Sequence, residues 1–156
     1  MAKLNIVVEG DSVLRGKCRP VEEITPRIKT LIDDMVETMR DANGVGLAAP
    51  QVGIRRRIVV VECEDGEVYE MINPEIIERS GTQNEIEGCL SVPGKYGYTV
   101  RPMEVTVKYT DRDGNEKTAK GSGLKARAFC HELDHLDGIL YIDHAEMIDP
   151  ADIEEG

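Results

Sequence analysis

Two histidines four residues apart, with a glutamate directly after the first, stand in the stretch "AFCHELDHLDGIL": His131, Glu132 and His135. The whole chain holds only 3 histidines. On an α-helix, positions four apart differ by about 40° around the axis and by one turn along it, so both imidazoles reach one ion. Glu132 is rotated by about 100° from His131, beside such an ion without binding it. This HExxH spacing suits metal-assisted hydrolysis, with the glutamate as general base toward water. Leu124 and Ala128 fall on the same helix face, so the histidines are expected to point into the core. Two buried imidazoles with nothing to bind would be costly to satisfy, which favours a metal.

Two ligands are too few, because a catalytic metal site usually combines three protein ligands with an open position. Three residues compete for the third place. Glu146 is the nearest glutamate beyond the helix, and His144 lies close to it. Cys89 stands upstream in "NEIEGCLSVPGKYGY". A cysteine beside a glycine in a strand-like segment is usually a small core residue. Spacing leaves the choice open.

A second segment of interest is "DANGVGLAAPQVGI". It has no GxGxxG and no Lys-Ser/Thr, and Pro50 blocks an immediate helix, so it makes a poor nucleotide loop. It reads as a tight turn or as a loop that brings backbone close to a ligand. Gln51 is the polar side chain within "GVGLAAPQVG".

These residues need elements to hold them. In "ITPRIKTLIDDMVETMRDANG", Thr25 can cap a helix and Pro26 suits its first position. Ile28, Leu31, Ile32, Met35, Val36 and Met39 then form one apolar stripe, and Asn43-Gly44 ends it. "RIVVVEC" reads as a buried strand; "EVYEMINP" and "EIIERSG" read as two more with short breaks. "EVTVKYTDRDGNEKTAKG" reads as a hairpin turning at "RDGN". The last helix is expected from about Ser122 to Leu136, stopped by Gly138. The expectation is one α+β domain over residues 1–156. Antiparallel or mixed β-sheets would surround a C-terminal metal-binding helix, with an amphipathic helix near the N-terminus.

The chain has 156 residues, enough for one substantial core. It has no Trp and a single Phe, Phe129, so that core must rest on Val, Ile, Leu and Met. Net charge is 19 − 30 = −11. That argues against direct nucleic-acid binding and against attraction to anionic membranes. The one tight basic tract, Arg55-Arg56-Arg57, reads as a solvated strand entrance. No signal-peptide pattern and no membrane-length apolar run is present, so a cytoplasmic protein is expected. Cys18, Cys63, Cys89 and Cys130 form no CxxC pair and are expected as free thiols.

Three segments together resemble the peptide deformylase family: "GVGLAAPQ" (44–51), "EGCLS" (87–91) and "HELDH" (131–135). The resemblance continues through "MINPEI", "RPMEVTV" and "DGILYID", covering nearly the whole chain. It implies one divalent ion held by Cys89, His131 and His135: Fe²⁺ in the cell, with Zn²⁺, Ni²⁺ or Co²⁺ as alternatives. It implies Glu132 as general acid/base, with Gln51 and the backbone N–H of Leu90 as oxyanion donors. Gly46 and Gly88 would meet the substrate backbone, and Val45, Leu124 and Ala128 would pocket the methionine side chain. The implied reaction removes the N-formyl group from formyl-methionyl nascent peptides, releasing formate. Cys130 stands where many members have Gln, and its direction away from His131 implies no catalytic consequence. Some bacterial members carry a longer basic C-terminal helix that contacts the ribosome. Here the tail "AEMIDPADIEEG" is acidic, leaving at most a transient ribosome association through another surface. The alternative kept open is another HExxH metallopeptidase or amidase.

Overall fold

Helix α1 spans Pro26–Asp41, with Pro26 in its first turn and the Thr25 hydroxyl accepting from the Ile28 N–H. Ile32, Met35 and Met39 on its inner side are fully buried, and Ile28, Leu31 and Val36 pack partly against the same cluster. Asn43, in the left-handed region at φ 58°, carries the chain away from the helix. The structure is a computed structural model that describes residues 3–63 and 65–149.

Five antiparallel strands form the larger sheet: β1 (Gly46–Ala48), β2 (Ile58–Glu62), β3 (Val68–Ser80), β6 (Glu104–Thr110) and β7 (Glu116–Ser122), in the order β1-β2-β3-β6-β7. Residues Ile58 to Val61 are all fully buried because helices cover both faces. Ile58 and Val60 pack into the cluster under α1. Val59 and Val61 pack into the opposite cluster, beneath helix α2 (Leu124–His135). Phe129, the single phenylalanine, sits in that second cluster with Tyr69 edge-on at 5.3 Å. A smaller sheet joins β4 (Gln83–Cys89), β5 (Val92–Arg101) and β8 (Glu146–Ile148), in the order β4-β5-β8.

The fold is α+β with antiparallel sheets, and three details depart from the sequence reading. The segments "EVYEMINP" and "EIIERSG" are one strand, β3, whose register shifts absorb the expected break. Asn73 takes a left-handed conformation there, and its side chain bonds both the N–H and the carbonyl of Val21. Helix α2 begins at Leu124 and not at Ser122, because Ser122 still pairs with Glu104 and Gly123 turns the chain at φ 58°. Strand β8 was not anticipated: three residues are too few for alternation to register in sequence.

The basic tract also differs from a solvated entrance. Arg57 donates to the Leu136 carbonyl and to Asp137 at 3.0 Å each, tying β2 to the end of α2. Arg55 donates to the Ser12 carbonyl.

Candidate metal centre and active site

Three segments far apart in sequence meet against α2. The helix contributes His131 and His135, whose ring centroids are 5.0 Å apart. The β4–β5 hairpin contributes Cys89 at the end of β4, with Leu90-Ser91 as its turn. Strand β1 and the 3₁₀ turn Ala49–Val52 contribute Gly46 and Gln51.

The Cys89, His131 and His135 donor atoms all lie within 4.8 Å of one another, the one such cluster among the described residues. Cys89 Sγ is 3.5 Å from His135 Nε2. His131 Nδ1 is 2.8 Å from Glu87 Oε1, which fixes its proton on Nδ1 and leaves Nε2 for the cluster. His144 instead lies 3.8 Å from Asp134, and Glu146 is exposed on β8, so neither joins the cluster.

The electrostatics favour a cation. Burial works against a charged His131 ring, yet Glu132, Cys89 and Glu87 outweigh it and raise its pKa well above the usual value. The position therefore attracts positive charge, the demand that a divalent ion meets. Burial, reinforced by His131, holds His135 well below its usual value, as the neutral imidazole that a ligand must be. Burial also pushes the Glu132 carboxyl up to about 7, against the pull of His131. One Glu132 oxygen, Oε1, is buried with no hydrogen-bond partner among the described residues. One cysteine sulfur and two imidazole nitrogens are a donor set that fits a divalent transition metal, with the Glu132 carboxyl beside it.

Close backbone approach explains two glycines. A Cβ on Gly46 would lie 2.5 Å from Glu132 Oε2, so only glycine lets β1 run against that carboxylate. A Cβ on Gly88 would meet the Tyr96 ring at 2.9 Å. The Gln51 carbonyl accepts from the Ala48 N–H at 2.9 Å. Its amide nitrogen is thereby aimed at Ser91 Oγ, 3.1 Å away, and at Cys89 Sγ, 3.6 Å away.

A cavity of about 490 Å³ opens over the cluster and is lined by every residue expected to bind substrate: Val45, Gly46, Gly88, Leu124 and Ala128. Leu90 lines it too, between Gly44 and the hairpin turn. Leu124 is 38% exposed at the mouth, not in the core as its helix face suggested, because it opens α2 beyond the cover of the sheet. Cys130 is buried in the α2 core, and burial pushes its thiol up to about 11, far from a reactive thiolate.

Several residues went unforeseen. Burial tends to raise the Glu87 carboxyl, but hydrogen bonds from His131 and Arg101 hold it well below the carboxylate range. Arg101 grips both Glu87 oxygens at 3.0 Å and reaches Asp134 with its third nitrogen. Thr99 donates to Glu87 as well. Tyr141 stacks on the His131 ring at 5.9 Å. Glu87 stood inside the quoted "EGCLS"; the signal available was the general need of a ligand histidine for a carboxylate behind it.

Comparison with known proteins gives this arrangement a class and a reaction. The polypeptide deformylase family model matches residues 3–151. A peptide deformylase of Agathobacter rectalis is 58% identical over 94% of this chain and 92% of its own length. Among solved structures, a class I type b peptide deformylase from Acinetobacter baumannii superposes with a TM-score of 0.90 at 37% identity, covering 92% of this chain and 100% of that one. The Ehrlichia chaffeensis peptide deformylase in complex with actinonin also gives 0.90, at 41% identity over 92% of this chain and 89% of that one. The chain belongs to the polypeptide deformylase family. Its reaction is hydrolytic removal of the N-formyl group from the N-terminal formylmethionine of nascent polypeptides, with release of formate.

Proposed function

We propose that Cys89, His131 and His135 hold one divalent ion and that Glu132 is the general acid/base of deformylation. The observation that carries this is the convergence of three donor atoms within 4.8 Å beside a buried glutamate oxygen that has no hydrogen-bond partner among the described residues. A divalent ion bound there supplies Lewis acidity, polarising the formyl carbonyl and lowering the pKa of water towards about 7. Glu132 takes the proton of the attacking water and passes it to the leaving amine nitrogen. Burial raises its pKa above the usual carboxylate range, which makes it a better proton acceptor than an exposed glutamate. Gln51 Nε2 and the Leu90 N–H donate to the oxyanion of the tetrahedral intermediate. The Ala48 N–H keeps the Gln51 amide from flipping, so its donor end stays turned to the site.

Val45, Leu124 and Ala128 form the apolar wall that receives the methionine side chain, and Gly46 and Gly88 offer backbone to the peptide. The softer thiolate donor supports Fe²⁺ as the cellular ion, with Zn²⁺, Ni²⁺ or Co²⁺ able to replace it. Formylated nascent chains as substrate favour a cytoplasmic site of action. Among the described residues no helix is long and apolar enough to cross a membrane.

Cys89→Ala tests the ligand set. Purified anaerobically, the variant is expected to lose its metal by elemental analysis and its formate release from formyl-Met-Ala-Ser. Retention of both would overturn the assignment and reopen a two-histidine peptidase site.

A further inference from the structure

Strand β5 alternates sharply. Thr99 and Arg101 point inward to Glu87, whereas Tyr96, Tyr98 and Val100 point outward. Tyr98 and Tyr96 are 42% exposed, and Val100 is 65% exposed. Directly opposed residues share a face, and on β4 Ile86 stands opposite Tyr98. Ile86, Tyr96, Tyr98 and Val100 therefore make one outward apolar row on the smaller sheet. Two of its members, Ile86 and Tyr96, also line the 490 Å³ cavity; Tyr98 and Val100 do not. The row begins at the site and leads away from it.

We propose that this row is an extension of the substrate site that binds an uncharged, apolar stretch of the nascent chain beyond the first three residues. The inference rests on the deformylase reading of the cavity. The occupant follows from continuity: a chain whose first methionine fills the cavity must leave past its rim, and Ile86 and Tyr96 are that rim on this side. From Tyr96 to Val100 the row runs about 13 Å, the length of about four extended residues. Glu146, opposite Tyr98 on β8, disfavours acidic residues at the same place. The net charge of −11 acts in the same direction.

Two formylated heptapeptides test this, formyl-Met-Ala-Ser-Leu-Val-Leu-Ser and formyl-Met-Ala-Ser-Gly-Ser-Gly-Ser, with formyl-Met-Ala-Ser as reference. Covering about 60 Å² of apolar surface corresponds to about a tenfold preference in kcat/KM for the apolar heptapeptide, arising in KM. Tyr98→Thr with Val100→Thr keeps β-forming residues on the strand while removing the apolar surface. That double variant is expected to bring the two heptapeptides within about twofold of each other and to leave the tripeptide unchanged. A wild-type ratio near one, or a ratio that survives the double substitution, overturns the proposal. If the wild type self-associates in sedimentation and the double variant abolishes only that, the row is a contact between copies and the proposal is likewise overturned. Failure of the wild type on the tripeptide would instead contradict the deformylase reading itself.

Discussion

Glu87 Oε1 lies 2.8 Å from His131 Nδ1, and the same carboxylate is gripped by two nitrogens of Arg101 at 3.0 Å. The His131 ring is thus aimed by a residue on the other side of the site, on β4, two positions before Cys89, the thiol proposed to share its ion. Neutralising that carboxylate with Glu87→Gln keeps its shape but weakens the hold on the ring. Metal affinity is expected to fall about 10–100-fold, measured by competition with a chelator. Unchanged affinity would show that the Glu87–His131 contact does not support the ligand.

Arg101 is buried between Glu87 and Asp134. Removing its charge with Arg101→Met strands two carboxylates, one of them buried. Breaking one side of a buried pair costs about 3–5 kcal/mol. In a domain of this size that is a fall in Tm of roughly 6–20 °C. Calorimetry checks it, and a fall of less than about 2 °C would mean that the pair is not energetically buried.

Gly46→Ala places a methyl 2.5 Å from Glu132 Oε2, closer than van der Waals contact allows. Strand β1 is held by β2 and the carboxylate is the freer part, so Glu132 should move. A displacement of about 1 Å at the reacting centre costs about 10²-fold, so kcat is expected to fall by that order. Metal content should stay at the wild-type value, because the three atoms nearest the added methyl all belong to Glu132. Undiminished kcat would show that Glu132 tolerates the shift.

Much of this site was legible because its chemistry is carried by residue types. His131, Glu132 and His135 declare themselves by helical spacing, and Leu124 to His135 does form a helix. Cys89 did not declare itself: spacing gave no reason to prefer it to His144 or Glu146. Only folding brings the end of β4 against α2, and a strand contact has no local signature. Glu87, Arg101 and Thr99 were hidden for the same reason. Their bonds to the site cross the small sheet, and in sequence they read as ordinary polar residues alternating along strands. The fold class followed from the order of elements, a block of strands with a helix at either end. The 13 residues of β3 did not, because a left-handed Asn73 held by Val21 looks in sequence like a break.

The role of Glu132 is tested most directly by formate release from formyl-Met-Ala-Ser by Glu132→Gln, with metal content verified in the same sample. The substitution keeps the volume and removes the group that accepts and returns the proton. General acid–base catalysis contributes about 10²–10⁴-fold, so kcat is expected to fall by at least about 10² while the metal stays bound at the wild-type ratio. Turnover within about threefold of wild type, with the metal in place, would contradict the assignment of Glu132 as the acid/base of this site.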